Sequence, residues 1–202
     1  MLLIAFGGPT RPEEIRPFLA NVTWGRRIPP DRIEEVAHHY EAIGGRSSLN
    51  ELTFRQAAAL RAAIEREGIV LPVFVGMRNW HPYFSDTIAE MRKKGCRGTL
   101  GIILSTLQTE ASWERYQQNV AAARAKVGPG APEVTYAPPW FDHPAFIEAC
   151  ADRARVALEG APAERRADIP LVFTAHSVPV AMAEGSPYVE QFLSASRLVA
   201  ER

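Results

Sequence analysis

Short apolar runs alternate with longer amphipathic stretches along the whole chain. The runs are Leu2–Phe6, Leu71–Val75, Leu100–Leu104 and Leu171–Ala175, with a more polar member at Glu133–Ala137. Brief runs of this kind, bounded by glycine, proline or polar clusters, fit strands covered on both faces of a sheet. Between them the apolar residues recur at helical spacing. Ile15, Phe18 and Leu19 share one face of a helix expected from about Pro12. Ile33, Val36 and Tyr40 mark a second over Asp31–Ala42, stopped by Gly44-Gly45. Ala57, Leu60 and Ile64 mark a third, opened by a capping-box pattern at Ser48–Glu51. Phe84, Ile88 and Met91 mark a fourth, ended by Gly95. Trp113, Tyr116, Val120, Ala123 and Val127 follow, then Pro144–Leu158, then a last helix from near Pro187 through Phe192, Leu193 and Val199.

Strands that alternate with helices predict an α/β fold with a parallel sheet flanked by helices. The chain divides into two Rossmann-like halves, 1–96 and 97–202. The first carries additional helices before its second strand. The second offers few strands before Arg202 and is expected to be truncated. Its last strand, Leu171–Ala175, runs straight into His176-Ser177-Val178-Pro179. A residue before proline is held in extended geometry, so a helix cannot begin at once. His176 is therefore expected at the carboxyl end of a strand, where open α/β sheets bind their ligands.

Composition narrows the function. The chain has 202 residues, 23 basic and 23 acidic, for a formal charge of zero. Nucleic acid and anionic membranes select basic patches, so neither is expected as the main partner, and membrane association is at most peripheral. The apolar start is far too short for a signal peptide or a membrane span, and a cytoplasmic protein is expected. Cys96 and Cys150 have no CxxC spacing, so neither a zinc site nor an iron–sulfur cluster has candidate ligands here. No Gly-Lys-Ser/Thr phosphate loop, GxSxG elbow or HExxH helix occurs. His38 and His39 are adjacent on a helix and face about 100° apart, so they do not chelate. His81 and His143 precede prolines and are expected to shape loops.

What remains is a set of loops that each follow a strand: Phe6–Pro9, Gly76–Arg78, Leu107–Ser112, Pro138–Asp142 and His176-Ser177. In a parallel sheet they gather on one edge. They are rich in aromatics (Phe6, Trp80, Trp140, Phe141) and include Arg78 and His176. That set suits a flat apolar ligand with anionic substituents.

Four motifs then carry a specific resemblance. They are Phe6-Gly7-Gly8-Pro9, Tyr40–Leu49 (YEAIGGRSSL), Val75–Pro82 (VGMRNWHP) and Thr174–Pro179 (TAHSVP), the last followed by Gly185, Pro187-Tyr188 and Gln191. In this order and spacing the chain resembles the ferrochelatases, class II chelatases that insert ferrous iron into protoporphyrin IX or coproporphyrin III in haem synthesis. The resemblance implies the two-halved chelatase fold, a lyase activity, and porphyrin and ferrous iron as partners. It implies no cofactor beyond the substrate iron, and a monomer or weak dimer. It makes His176 the catalytic and metal-binding histidine. An imidazole, with an unperturbed pKa of about 6.5, accepts a proton at cellular pH and also ligates Fe(II).

Phe6, Tyr40, Ser47, Arg78 and Tyr116 become the porphyrin-binding residues by the same resemblance. Phe6 stands where some relatives have a ligating tyrosine, and Ser48 replaces the family's proline. Relatives are longer, and their later part supplies a second catalytic carboxylate. The 202-residue chain by itself is therefore expected to be inactive. Two alternatives stand beside this reading. One is a non-catalytic tetrapyrrole-binding fragment. The other is a cobalt or sirohydrochlorin chelatase, which tends to use two pocket histidines where this chain offers one.

Overall fold

The computed structural model describes residues 1–202, and its centre is a four-stranded parallel sheet. The strands are β1 (Leu2–Ala5), β2 (Phe74–Met77), β3 (Gly98–Ile103) and β4 (Glu133–Tyr136), in the order β2-β1-β3-β4. Leu2 pairs with Phe74 on one side and Gly101 on the other, and Gly101 in turn pairs with Tyr136. β1 is buried at every position, which is why its sequence is apolar without alternation.

Eight α-helices accompany the strands: α1 (Ile15–Thr23), α2 (Pro30–Ala42), α3 (Leu49–Arg66), α4 (Phe84–Lys93), α5 (Arg115–Val127), α6 (Pro144–Glu159), α7 (Val180–Glu184) and α8 (Tyr188–Ala200). Helix α3 covers one face of the sheet, where Ala57 and Leu60 pack against Leu3, Ala5, Val75 and Met77. Helix α4 covers the other. Its Phe84 sits where any side chain on Gly76 would fall, 2.7 Å from an added Cβ. The Thr87 hydroxyl donates to the Val75 carbonyl at 2.8 Å, closing an outer edge position of β2. Helices α1 and α2 pack on each other through Ile15, Phe18, Leu19 and Ala37. Arg16 bridges them at the surface by pairing with Glu34 and Glu41.

The chain forms two compact units. The first comprises Met1–Leu104 and Tyr116–Ala137, and holds the whole sheet. The second comprises Ser105–Arg115 and Pro138–Arg202. The expected division at 96/97 falls just before β3, and β3 pairs with β1 across it. In the second unit α6 packs on α8 with Ile147 and Ala151 buried. The Arg155 guanidinium reaches Glu148 and the carbonyl of Arg202, both at 3.0 Å.

Three expectations need correction. Leu171–Ala175 is not a strand: residues 169–179 have no regular structure, and Leu171–Ser177 are all exposed. A strand exists only when a neighbour takes its amides and carbonyls, and this stretch pairs with no strand. The second strand begins at Phe74 rather than Leu71, because Leu71 and Pro72 lie exposed before the ladder with β1 starts. Finally, Ser48 does not cap α3. Its backbone is already helical (φ −76°, ψ −6°) and its side chain makes no cap hydrogen bond. The Ser47 hydroxyl accepts from the Leu49 amide instead, at 3.2 Å.

Candidate functional site

In the first unit the site is built at the carboxyl end of β1. The strand order turns around between β1 and β3, and such switch points are where open sheets bind ligands. Immediately after β1 the chain makes the Gly7-Gly8-Pro9 turn. Gly7 has φ +84°, and an added Cβ would press on the Trp80 amide nitrogen at 3.0 Å. A Cβ on Gly8 would strike the Ser47 Cβ at 2.8 Å and Oγ at 2.9 Å. Glycine is required at both positions, by conformation at one and by contact at the other.

The loop is stitched to the other motifs by hydrogen bonds. The Gly8 amide donates to Asn50 Oδ1 at 2.9 Å, and Asn50 Nδ2 donates back to the Gly8 carbonyl at 3.0 Å. Asn50 is 5% exposed, so both of its polar ends are satisfied within the protein. The Ser47 amide donates to the Pro9 carbonyl at 2.8 Å. From the other side, the Arg78 and Asn79 amides donate to the carbonyls of Ala5 and Phe6 at 3.0 and 2.9 Å. Asn21 Nδ2 in turn donates to the Asn79 carbonyl at 3.2 Å and the Tyr83 hydroxyl at 2.8 Å. The first three motifs named from the sequence therefore form one interlocked edge.

Glu14 closes this edge. One carboxylate oxygen accepts from the Thr10 amide and hydroxyl, both at 2.8 Å, and from the Trp80 indole at 2.9 Å. The other accepts from Arg11 at 2.8 Å. Burial disfavours the charge, but the donors from Thr10, Trp80 and Arg11 outweigh it and hold the carboxyl below its ordinary range.

The aromatic wall follows from these anchors. Phe18 meets the rings of Phe6, Tyr40 and Trp80 edge to face, with centroids 6.2, 5.9 and 6.2 Å apart. Phe6 itself stays 38% exposed. The Arg78 guanidinium lies over the Tyr116 ring at 5.8 Å. Burial pushes the Tyr116 phenol up to about 12, with Arg78 pulling weakly the other way, so it remains neutral at working pH. Burial raises Tyr40 too. Phe6, Tyr40, Ser47, Arg78 and Tyr116 all belong to the first unit and surround the end of β1 and β2.

His176 belongs to the second unit. It is exposed, and its carbonyl accepts from the Tyr188 hydroxyl at 2.7 Å. Of the other histidines, His38 and His39 are exposed on α2, and two have structural places. His143 caps α6 by accepting from the Ala145 amide at 3.2 Å, and His81 packs its ring against Trp80 and Tyr83. No group of three or more His, Cys, Asp or Glu side chains is arranged to hold a metal ion. No helix is long and apolar enough to cross a membrane.

Sequence reasoning missed Glu14 and Asn50. Asn50 could have been suspected, since it directly continues the Ser-Ser-Leu motif; Glu14 had no signal beyond its place near Pro12. Asn79, Tyr188 and Gln191 were visible as motif letters without a role.

A parallel sheet whose strand ends carry interlocked glycine turns and an aromatic wall defines a doubly wound α/β protein with its ligand edge at β1. The ferrochelatase family model matches residues 1–202, and the chain belongs to that family. It is 47% identical to the coproporphyrin III ferrochelatase of Nocardia farcinica over 99% of this chain. It is 43% identical to the protein of that name from Mycolicibacterium vanbaalenii, and 39% identical to the ferrochelatase of Rhodopirellula baltica, again over 99% of the chain. The chain spans 57 to 60% of the length of these relatives.

Proposed function

We propose that the intact protein is a lyase that inserts ferrous iron into a porphyrin, with coproporphyrin III as the porphyrin. The name carried by the two actinobacterial relatives favours that substrate over protoporphyrin IX. Metallation removes two pyrrole N–H protons and strips water from the iron. His176 serves that step, with an imidazole nitrogen for the iron or a departing proton. Phe6 and Tyr40, which both pack on Phe18, offer a face for the macrocycle. Arg78 meets a porphyrin carboxylate, and Tyr40, Ser47 and Tyr116 supply neutral hydroxyls nearby. Porphyrin and ferrous iron are the partners, with no nucleic acid, no resident cofactor and a cytoplasmic setting.

The observation that supports this reading most is the stitching of three family motifs into one edge at the end of β1. The test is anaerobic titration of the intact protein and porphyrin with Fe(II), following loss of the metal-free porphyrin spectrum. His176→Ala is expected to reduce turnover by roughly 10²- to 10⁴-fold, as removal of an acid–base group does. Undiminished turnover refutes the assignment.

A second reading, porphyrin binding without turnover, applies to residues 1–202 by themselves. It is favoured by the unpaired, exposed stretch around His176. Fluorescence quenching of porphyrin without iron-dependent spectral change is its signature.

A further inference from the structure

The first turn of α8 holds two loops of the second unit at once. Tyr188 and Gln191 stand three residues apart, on one helical face. The Tyr188 hydroxyl donates to the His176 carbonyl at 2.7 Å. Gln191 is 6% exposed, and both ends of its amide are used on one residue. Its Oε1 accepts from the Gln108 amide at 2.8 Å, and its Nε2 donates to Gln108 Oε1 at 2.6 Å. Gln108 sits in the loop that leaves β3 and closes on Thr109 and Ser112, which cap each other's backbone amides. The stretch around His176 has no ladder and no helix of its own. The Tyr188 hydrogen bond is what fixes the backbone from which the imidazole springs.

We propose that Tyr188 and Gln191 are positioning residues for metal insertion, a clamp that sets His176 and the Ser105–Thr109 loop from one rigid helical turn. The inference rests on the role given to His176 above. The physical reason is one of tolerance. A nitrogen that must meet iron works only within a few tenths of an ångström, and an unpaired loop does not hold that tolerance by itself. A tyrosine on a helix is stiff, with two side-chain torsions, and its hydroxyl reaches a backbone atom rather than a mobile side chain. Gln191 has the same logic: a bidentate amide pins both the backbone and the side chain of Gln108, so the loop cannot slide along the helix.

Tyr188→Phe removes one hydroxyl and keeps the ring. In the intact protein it is expected to lower kcat for iron insertion roughly 10- to 100-fold, the scale of a misplacement near the chemistry. The affinity for metal-free porphyrin, read by fluorescence, and the urea midpoint should stay at the wild-type values. Gln191→Glu keeps the acceptor for the Gln108 amide and loses the donor. It leaves Gln108 Oε1 without a donor at a buried place, so its urea midpoint should fall, while the folded protein keeps its porphyrin affinity and loses less kcat than Tyr188→Phe. Val189→Ala, on the same turn but half exposed and free of these contacts, is the control with wild-type turnover. Wild-type turnover in either Tyr188→Phe or Gln191→Glu overturns the clamp, as does a loss of kcat that merely tracks porphyrin affinity in either variant or the urea midpoint in Tyr188→Phe. His176→Ala separates the two levels. If it turns over undiminished, the underlying reading fails; if it is dead while Tyr188→Phe is unimpaired, only the clamp fails.

Discussion

Two stretches of this chain are written alike and fold differently. Leu2–Pro9 and Leu171–Pro179 each begin with a short apolar run, pass into a turn, and end on proline. The first is a central strand, paired with β2 on one side and β3 on the other, and its turn is held by Asn50, Ser47, Asn79 and Glu14. The second has no paired neighbour, and a single hydrogen bond from Tyr188 ties His176 to α8. Apolar residues state what a segment would bury if a sheet received it. They do not provide the sheet. A parallel strand is a long-range property, completed only when segments far apart in sequence bring their amides and carbonyls into register.

The contrast breaks most sharply at Leu3, which is 2% exposed in the core of the first unit. Leu3→Ala is expected to cost about 3 kcal/mol in urea unfolding, through lost burial and the cavity left beside Ala57 and Val75. Next comes the stitching. Asn50→Ala strands the Gly8 amide and carbonyl, a loss of about 2 kcal/mol for groups buried without partners. Gly8→Ala forces a Cβ against Ser47 and should cost about 1–2 kcal/mol, with the urea slope unchanged. If Asn50→Ala or Gly8→Ala is neutral, the glycine turn is not held by these contacts; if Leu3→Ala is neutral, β1 is not packed against α3 as a core strand.

Glu14 gives a smaller effect with a pH signature. Its folded pKa is depressed, so it binds fewer protons folded than unfolded around the ordinary carboxylate range. Its contribution is therefore fully present above the unfolded pKa and is lost as pH falls through the lower folded value. Glu14→Gln should lower the melting temperature at neutral pH and remove part of the acid-side decline. Parallel melting curves for wild type and Glu14→Gln across that acid window would show that the carboxylate is not the hub.

How much of this could be read from the residues depends on distance along the chain. The sheet strands β1 to β4 and helices α1 to α6 and α8 follow from local patterns: apolar runs for strands, three- and four-residue recurrence for helices. The glycine turn was visible because glycine and proline constrain their own backbone. Asn50 and Glu14 were not, because a side chain that bonds a loop residue 42 positions away, as Asn50 does to Gly8, leaves no periodicity. The strand expected at Leu171–Ala175 failed for the same reason in reverse, since a good local pattern met no neighbour. The proposed porphyrin-binding residues Phe6, Tyr40, Ser47 and Arg78 were legible as letters of the motifs, and Tyr116 only by its place on the helix after β3. The physics that unites them at the end of β1 became visible only as hydrogen bonds and ring contacts.

The mildest substitution tests the contrast from its other side. Val172 is 80% exposed within that unpaired stretch. In the 202-residue chain Val172→Ala should shift stability by no more than about 0.5 kcal/mol, the range for surface positions without packed neighbours. A loss near that of Leu3→Ala would mean that Val172 is packed after all, and the two stretches would then behave alike. Burial decides the size of the effect and residue type does not, since removing methyl groups costs only what those groups had displaced from water and packed against. The prediction therefore isolates the single variable that separates the stretches: whether another strand lies alongside.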